Sequence, residues 1–446
     1  MLGSSPTTGF PRVPGHSGST RRNRARAKVS GVAPAKSTFG SSFGRYGMSS
    51  SLNWSNRTVW TGDNLPVMRG MNSASVDLIY LDPPFNSKAN YAAPIGSKAA
   101  GAAFKDTWTL SDVDAEWINL IEAKHPALYR VILAAMTDSD KSYLAYMAAR
   151  LLEMRRLLKP ASSIYLHCDP TMSHYLKLLM DSIFGRRSMA NEIIWYYRGA
   201  GTPKLDFARR HDVILRYTGK DRYFDPDPAR QPYADATVER FSHYIGNVRG
   251  DQDFGQQSLN PKGKHPDDVI VDIQPIAPSA RARTGYPTQK PVELLQRIIA
   301  TSCPPEGVVL DPFCGCATTC VAAQDEGRQW VGIDISPTAA ELVARRMRDE
   351  LGLFYDGAHR TDVPKRTDLG NLPPYRSHKP TLYGLQEGNC AGCAAHFEAR
   401  HLEVDHIIAR QKGGTDHIDN LQLLCGSCNR IKGDRGMEYL RVKLQL

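Results

Sequence analysis

Three strand ends rich in carboxylates carry the first chemical signal. The apolar run Val76-Asp-Leu-Ile-Tyr-Leu81 opens into Asp82-Pro-Pro-Phe85. A second run ends at Asp311 and enters the tight turn Pro312-Phe-Cys-Gly-Cys-Ala-Thr318, and a third, Gln329-Trp-Val-Gly-Ile-Asp334, ends on another acid. Ligands of open α/β sheets collect at the carboxyl ends of strands, and an acid placed like Asp334 suits a ribose diol. Gly315 lets the backbone come close to a ligand. Taken alone, each motif reads equally well as a structural turn. Near the C-terminus, Cys390-Ala-Gly-Cys393 and Cys425-Gly-Ser-Cys428 are separated by 31 residues, the spacing of a structural zinc site. Four thiolates can close a tetrahedron and supply folding energy to a unit too small to rely on its core.

The elements that must position these residues follow from periodicity. Residues 140–158, 174–184, 291–301, 318–326 and 337–351 read as helices, and 76–81, 163–167, 307–311 and 329–334 as buried strands. Strands separated by helices imply a doubly wound α/β sheet. Residues 191–197 and 211–217 look like a β-pair. Residues 218–285 turn polar over a stretch too long for an ordinary loop.

The chain has 446 residues and a formal charge of +10, but the charge is uneven. Residues 1–48 hold eight Lys and Arg and no acid, whereas 49–374 hold 38 of each sign. The first 50 residues are rich in Ser, Gly, Arg and Pro, and are expected to form a disordered basic tail. No run of eighteen apolar residues occurs, which argues against a membrane helix. The first twenty residues lack the apolar core of a signal peptide, and the scattered thiols fit a reducing cytosol, so a cytoplasmic protein is expected. Residues 51–355 are assigned to one α/β domain, 356–380 to a linker without periodicity, and 381–446 to the zinc unit.

The α/β motifs together resemble the amino-directed DNA methyltransferases. Asp311-Pro-Phe-Cys-Gly-Cys-Ala-Thr318 is similar to their S-adenosylmethionine (SAM) loop, and Asp82-Pro-Pro-Phe85 to their catalytic D-P-P-Y/F. Tyr286-Pro-Thr-Gln-Lys-Pro-Val-Glu-Leu-Leu295 resembles the segment lining the methionine end, and Gly62-Asp63 the acidic motif near the adenine. Catalytic motif first and SAM loop last is the order of the circularly permuted β class. The resemblance implies a SAM-dependent, Rossmann-like fold, with Asp63, Thr288, Lys290, Asp311, Pro312, Phe313, Gly315, Thr318 and Asp334 at the cofactor. It further implies a flipped base whose exocyclic amine is held by Asp82 and the Pro83 carbonyl, with Pro84 stiffening the loop and Phe85 stacking on the base. Ala317 stands where the family has glycine, which would strain a left-handed backbone by about 1 kcal/mol or more. Asp at the first motif position favours adenine N6 over cytosine N4. Residues 86–91 and 104–108 resemble a target-side lid. Residues 220–285, rich in Arg, Lys, Gln and Asn, are the expected target-recognition segment.

Around the zinc knuckles, Val404-Asp-His-Ile-Ile408, Gly413-Gly-Thr-Asp-His-Ile-Asp-Asn-Leu421 and Asn429-Arg-Ile-Lys432 resemble the HNH (ββα-metal) nucleases. That resemblance implies His406 as general base, Asp405 and Asn429 as ligands of Mg²⁺ or Mn²⁺, and Asn420 as a brace that orients His406. The expected partner is double-stranded DNA, with homodimerisation left open. Two rivals stand beside a methyltransferase–nuclease fusion: a zinc unit that only binds DNA, and a DNA-binding regulator without turnover.

Overall fold

The computed structural model describes residues 52–85, 90–92, 103–105, 121, 125–199, 203–243, 246–249, 252–277, 280, 283–286, 288–352 and 355–444. The expected basic tail and most of the expected lid, including the side chain of Tyr91 and all of Trp108, lie outside them.

Among the described residues, nine strands form one sheet. In chain order they are β1 (Thr58–Thr61), β2 (Val76–Leu81), β3 (Leu158–Cys168), β4 (Met189–Tyr196), β5 (His211–Thr218), β6 (Val269–Ile270), β7 (Val308–Asp311), β8 (Gln329–Asp334) and β9 (Ala358–Arg360). Their spatial order is β6-β4-β5-β3-β2-β7-β8-β1-β9. All neighbours from β3 to β9 run parallel, while β5 is antiparallel to both β3 and β4. The pair expected over 191–197 and 211–217 is therefore present.

The strands read as continuous apolar runs because both faces are covered. Ile79, Leu81, Ile164, Leu166, Leu310 and Val331 join one core. Helices α1 (Asn64–Gly70), α2 (Asp138–Leu157) and α3 (Ser173–Phe184) contribute to that core. The alternate residues Leu78, Tyr80, Tyr165, Ile214, Val309 and Trp330 join a second core with α4 (Val292–Ser302), α5 (Thr318–Asp325) and α6 (Pro337–Leu351). Helices on both faces make the sheet doubly wound, as expected. Asp77 ties the middle together: its Oδ2 accepts from the Val308 amide at 2.8 Å and from Lys159 Nζ at 2.7 Å.

The linker expected over 356–380 requires correction. Residues 358–360 add β9 to the sheet edge, and Arg366, Thr367 and Asp368 bond to Asn72 and Ser73. A three-residue strand is too short for periodicity to reveal. The polar 220–285 stretch likewise gives one piece, β6, to the sheet.

In the C-terminal unit, β10 (Leu402–His406) and β11 (Leu421–Cys425) form an antiparallel hairpin followed by α7 (Gly426–Lys432), a ββα arrangement. Its core is small, with Leu382, Leu402, Leu421, Leu423, Leu424, Met437 and Leu440 beside Cys390, Cys425 and Cys428. The sulfurs of Cys390, Cys393, Cys425 and Cys428 all lie within 4.8 Å of one another. That fits a tetrahedral zinc ion, for which Zn–S bonds of about 2.3 Å are usual. Metal analysis of the purified chain is expected to return one zinc per molecule, and Cys428→Ser is expected to lose it. The same substitution should expose residues 390–440 to protease while the α/β domain remains resistant.

Candidate functional site

Strands β2 and β7 are parallel neighbours, with Leu78 opposite Val309 and Ile79 opposite Leu310. The loops after Leu81 and Asp311 therefore leave the same edge of the sheet. Strand β8 lies next to β7, so Asp334 emerges there too, and the Gly62 amide bonds to the Asp334 carbonyl at 2.9 Å. Topology alone brings Asp82, the turn at 312–318, Asp334 and Asp63 together.

The turn is held by its own carboxylates. Asp334 accepts from the Gly315 amide at 2.9 Å and the Ser336 amide at 2.8 Å. Asp311 accepts from the Phe313 amide at 3.0 Å. Burial raises the Asp311 pKa to about 7, with repulsion from Asp82 and Asp334 adding to it and the Thr319 and Phe313 bonds opposing it. Gly315 has φ +47°, and a Cβ there would lie 2.9 Å from Tyr286 Cε1, so a side chain would meet the Tyr286 ring. Ala317 has φ 64° and ψ 31°, the left-handed conformation that costs a non-glycine residue about 1–2 kcal/mol. Thr318 turns back toward Cys316 and Arg346. Burial keeps the Cys314, Cys316 and Cys320 thiols protonated, so they are poor nucleophiles.

Asp63 caps α1 through the Leu65 amide and pairs with Arg150 at 2.8 Å. Arg150 also bonds Asn64 at 2.7 Å, and Asn64 in turn bonds the Pro312 carbonyl at 2.7 Å. Arg150 lies 3.3 Å over the Tyr146 ring, which meets Phe313. This chain from Asp63 to the turn escaped the sequence reading, since Arg150 sits mid-helix without a local motif.

Segment 286–290 spans both loops. Tyr286 packs on Gly315, and Lys290 Nζ meets Asp82 Oδ2 at 2.7 Å in a buried ion pair. Asp82 Oδ1 is buried and has no hydrogen-bond partner among the described residues. Lys290 also lies 5.1 Å from the centre of the Phe85 ring. Thr288, expected at the cofactor, is exposed with φ 61° and makes no described side-chain bond.

Behind Phe85 stands His167, fully buried, its ring near-parallel at 6.2 Å. Burial, aided by Lys290, pushes its pKa down and keeps the ring neutral. Although burial raises the Asp212 pKa, bonds from His167 and the Lys290 charge outweigh it, so Asp212 is a carboxylate. Nε2–H therefore donates to Asp212 at 2.9 Å, which leaves Nδ1 to accept from Tyr80 at 2.8 Å. Tyr197 donates to the other Asp212 oxygen at 3.1 Å. The only sequence hint of this network was a polar residue near the end of a core strand.

The model of the N6/N4 DNA methylase family matches residues 76–345, well over half of the chain. The chain belongs to the DNA methylase family. It is 26% identical over 377 residues to the type II methyltransferase M.EcaI of Enterobacter cloacae, covering 72% of this chain and 75% of the relative. It is 26% identical over 319 residues to the DNA adenine methyltransferase YhdJ of Escherichia coli K12, covering 71% and 90%. A DNA modification methylase of Thermus thermophilus, solved with S-adenosyl-L-methionine, aligns over 71% of this chain and 100% of its own at 20% identity and TM-score 0.38. The HNH endonuclease model matches residues 390–435.

In the HNH unit of this methylase, His406 Nε2 meets Asp416 at 2.8 Å, and Arg410 grips the same carboxylate. The Tyr375 ring lies 4.9 Å from His406. Asn420 bonds both the amide and the carbonyl of Ile408 and the carbonyl of Thr415, closing the loop between the strands. Asp405 Oδ2 accepts from Gln422 at 2.9 Å and Lys432 at 3.1 Å, and Asn429 donates to Glu403 at 2.5 Å. Asp405 and Asn429 thus each have their own partner, and no described bond joins them.

The raised pKa of Asp311 has a pH signature. Between about pH 4, where an unfolded Asp ionises, and about pH 7, the folded ligand-free methylase holds a proton that the unfolded chain has lost. The contribution of this group to stability is full below that window and lost as pH rises through it. Asp311→Asn is expected to raise the melting temperature more at pH 8 than at pH 5, as calorimetry across that range would show.

Proposed function

We propose that the methylase transfers a methyl group from SAM to the exocyclic amine of a base flipped out of double-stranded DNA, with adenine N6 favoured over cytosine N4. The observation that carries the reading is the divided state of Asp82. Its Oδ2 is fixed by Lys290, while its Oδ1 is buried and open. An unpaired buried acceptor is costly. An amine N–H would satisfy it.

The reaction needs such an acceptor. The lone pair of an exocyclic amine is delocalised into the ring, so the nitrogen is a poor nucleophile. Asp82 Oδ1 and the Pro83 carbonyl would accept its two N–H groups and draw the lone pair out of conjugation. Pro83 and Pro84 restrict φ, holding those acceptors in place before the base arrives. Phe85 would stack on the base, backed by the neutral His167 and its fixed partners. Asp82 would then take the proton that the methylated amine releases.

The cradle fits SAM by chemistry: a glycine turn allowing close approach, Asp334 and Asp63 at its sides, and the acid-lined edge beside Gly315. Asp311, Pro312, Phe313, Gly315 and Thr318 shape the turn, with Asp63, Lys290 and Asp334 around it. When bound, SAM supplies an electrophilic methyl carried on a sulfonium. The adenine preference is supported by Asp at the first motif position and by the name of YhdJ as an adenine methyltransferase. M.EcaI, named a type II methyltransferase, supports a restriction–modification setting.

For the C-terminal unit we favour a metal-dependent nuclease. His406, oriented by Asp416, would take a proton from the attacking water. Asp405 Oδ1 and Asn429 Oδ1 would hold Mg²⁺ or Mn²⁺, which supplies charge to a phosphodiester; oxygen donors suit such ions. A second reading, DNA binding without turnover, is favoured by the buried Lys432, which occupies Asp405 Oδ2.

Incubation with SAM and plasmid DNA, followed by nucleoside mass spectrometry, is expected to yield N6-methyladenine. N4-methylcytosine would overturn the choice of base, and no methylated base at all would overturn the reaction. Asp82→Ala is expected to lower the methylation rate by at least about 10²-fold, while calorimetry shows SAM binding retained.

A nicking assay on methylated and unmethylated plasmid with Mg²⁺ or Mn²⁺ tests the nuclease. His406→Ala is expected to abolish cutting. A wild-type chain that cuts neither substrate would overturn the nuclease reading and support the binding-only one.

A further inference from the structure

Away from the methyl-transfer edge, Arg216 on β5 is 4% exposed and forms no ion pair among the described residues. Its Nη1 makes one long bond, 3.4 Å, to Asn191 Oδ1, while Nε and Nη2 have no hydrogen-bond partner among the described residues. The guanidinium lies 4.6 Å from the Phe224 ring centre and 5.6 Å from that of Tyr165. These groups line a cavity of about 370 Å³ between the sheet, α4 and residues of the segments 222–231 and 265–270. Asp212, on the same strand, is four residues away, about 13 Å along it. The cavity is therefore distinct from the site beside His167.

A buried cation without a counter-charge is an unstable arrangement, because its lost hydration is not replaced. The other charges of the lining do not remedy it. Arg297 is paired with Asp272 at 2.9 and 2.6 Å, and Asp267 with Lys264. Arg222 adds a second cation and Asp268 a single opposing carboxylate, and neither pairs with Arg216. Adjacent Nε–H and Nη2–H groups make a fork that matches two oxygens of one oxyanion. The volume falls within the range of small-molecule sites.

We propose that this cavity binds a phosphate-bearing ligand of nucleotide size, its phosphate held by the open edge of Arg216. A free nucleotide and a phosphate of bound DNA share that chemistry. The burial of Arg216 itself, 4% exposed, favours the small free nucleotide over a duplex backbone.

The test is thermal unfolding of the full chain with SAM saturating, so that the cofactor cradle is already filled. Inorganic phosphate and 5′-UMP are titrated against chloride at constant ionic strength. Wild type is expected to gain several degrees, and Arg216→Met to lose the gain, with binding weakened at least about tenfold. Arg216→Lys, which keeps the charge without the fork, should fall between them. Arg216→Met is also expected to melt no lower than wild type without phosphate, since it removes an unpaired buried charge. SAM binding by each variant checks that it has folded.

A short duplex stabilising wild type over Arg216→Met, where 5′-UMP does not, would assign the phosphate to DNA. No shift in wild type, or equal shifts in wild type and Arg216→Met, would overturn the proposal and leave a cavity that holds water alone.

Discussion

Segment 286–290 is the constraint on which the site depends. Its Tyr286 lies on Gly315 and its Lys290 grips Asp82, so the turn at 312–318 and the loop after β2 are set against one another. Lys290 is buried and Asp82 mostly so, and removing the partner of a buried charge typically costs about 3–5 kcal/mol. Lys290 does more than neutralise. It occupies one carboxylate oxygen of Asp82 and leaves the other without a partner among the described residues, so the ion pair orients the carboxylate.

Around that clamp the molecule holds its charges in layers. Asp63 is tied to Arg150, Asp212 to His167 and Tyr197, and Asp334 to two backbone amides. Each carboxylate near the sheet edge has its own donors, which is what permits so many acids in so small a space. Asp311 is the exception in degree: its two donors do not offset burial and neighbouring charge, and in the folded chain it holds its proton up to about pH 7.

The strands and most helices were legible because buried parallel strands and amphipathic helices leave continuous or periodic apolar patterns. Asp82, Asp311, Gly315 and Asp334 were legible because they end such strands. Arg150, His167 and Asp212 were not, since each acts across tens of residues of sequence and no local pattern records a partner that far away. The strain at Ala317 was foreseen conditionally, and its φ of 64° supplies the missing condition. The stretch after residue 356 misled because three residues pairing at a sheet edge leave no period to detect.

That edge strand alters where the enzyme can be divided. Domain surgery guided by composition would cut near residue 356 and discard β9 together with the Arg366–Asp368 clasp on Asn72 and Ser73. The severed catalytic half would be left with β1 as a bare hydrogen-bonding rim, the geometry that invites sheet-to-sheet aggregation. A soluble fragment must retain the chain through Asp368.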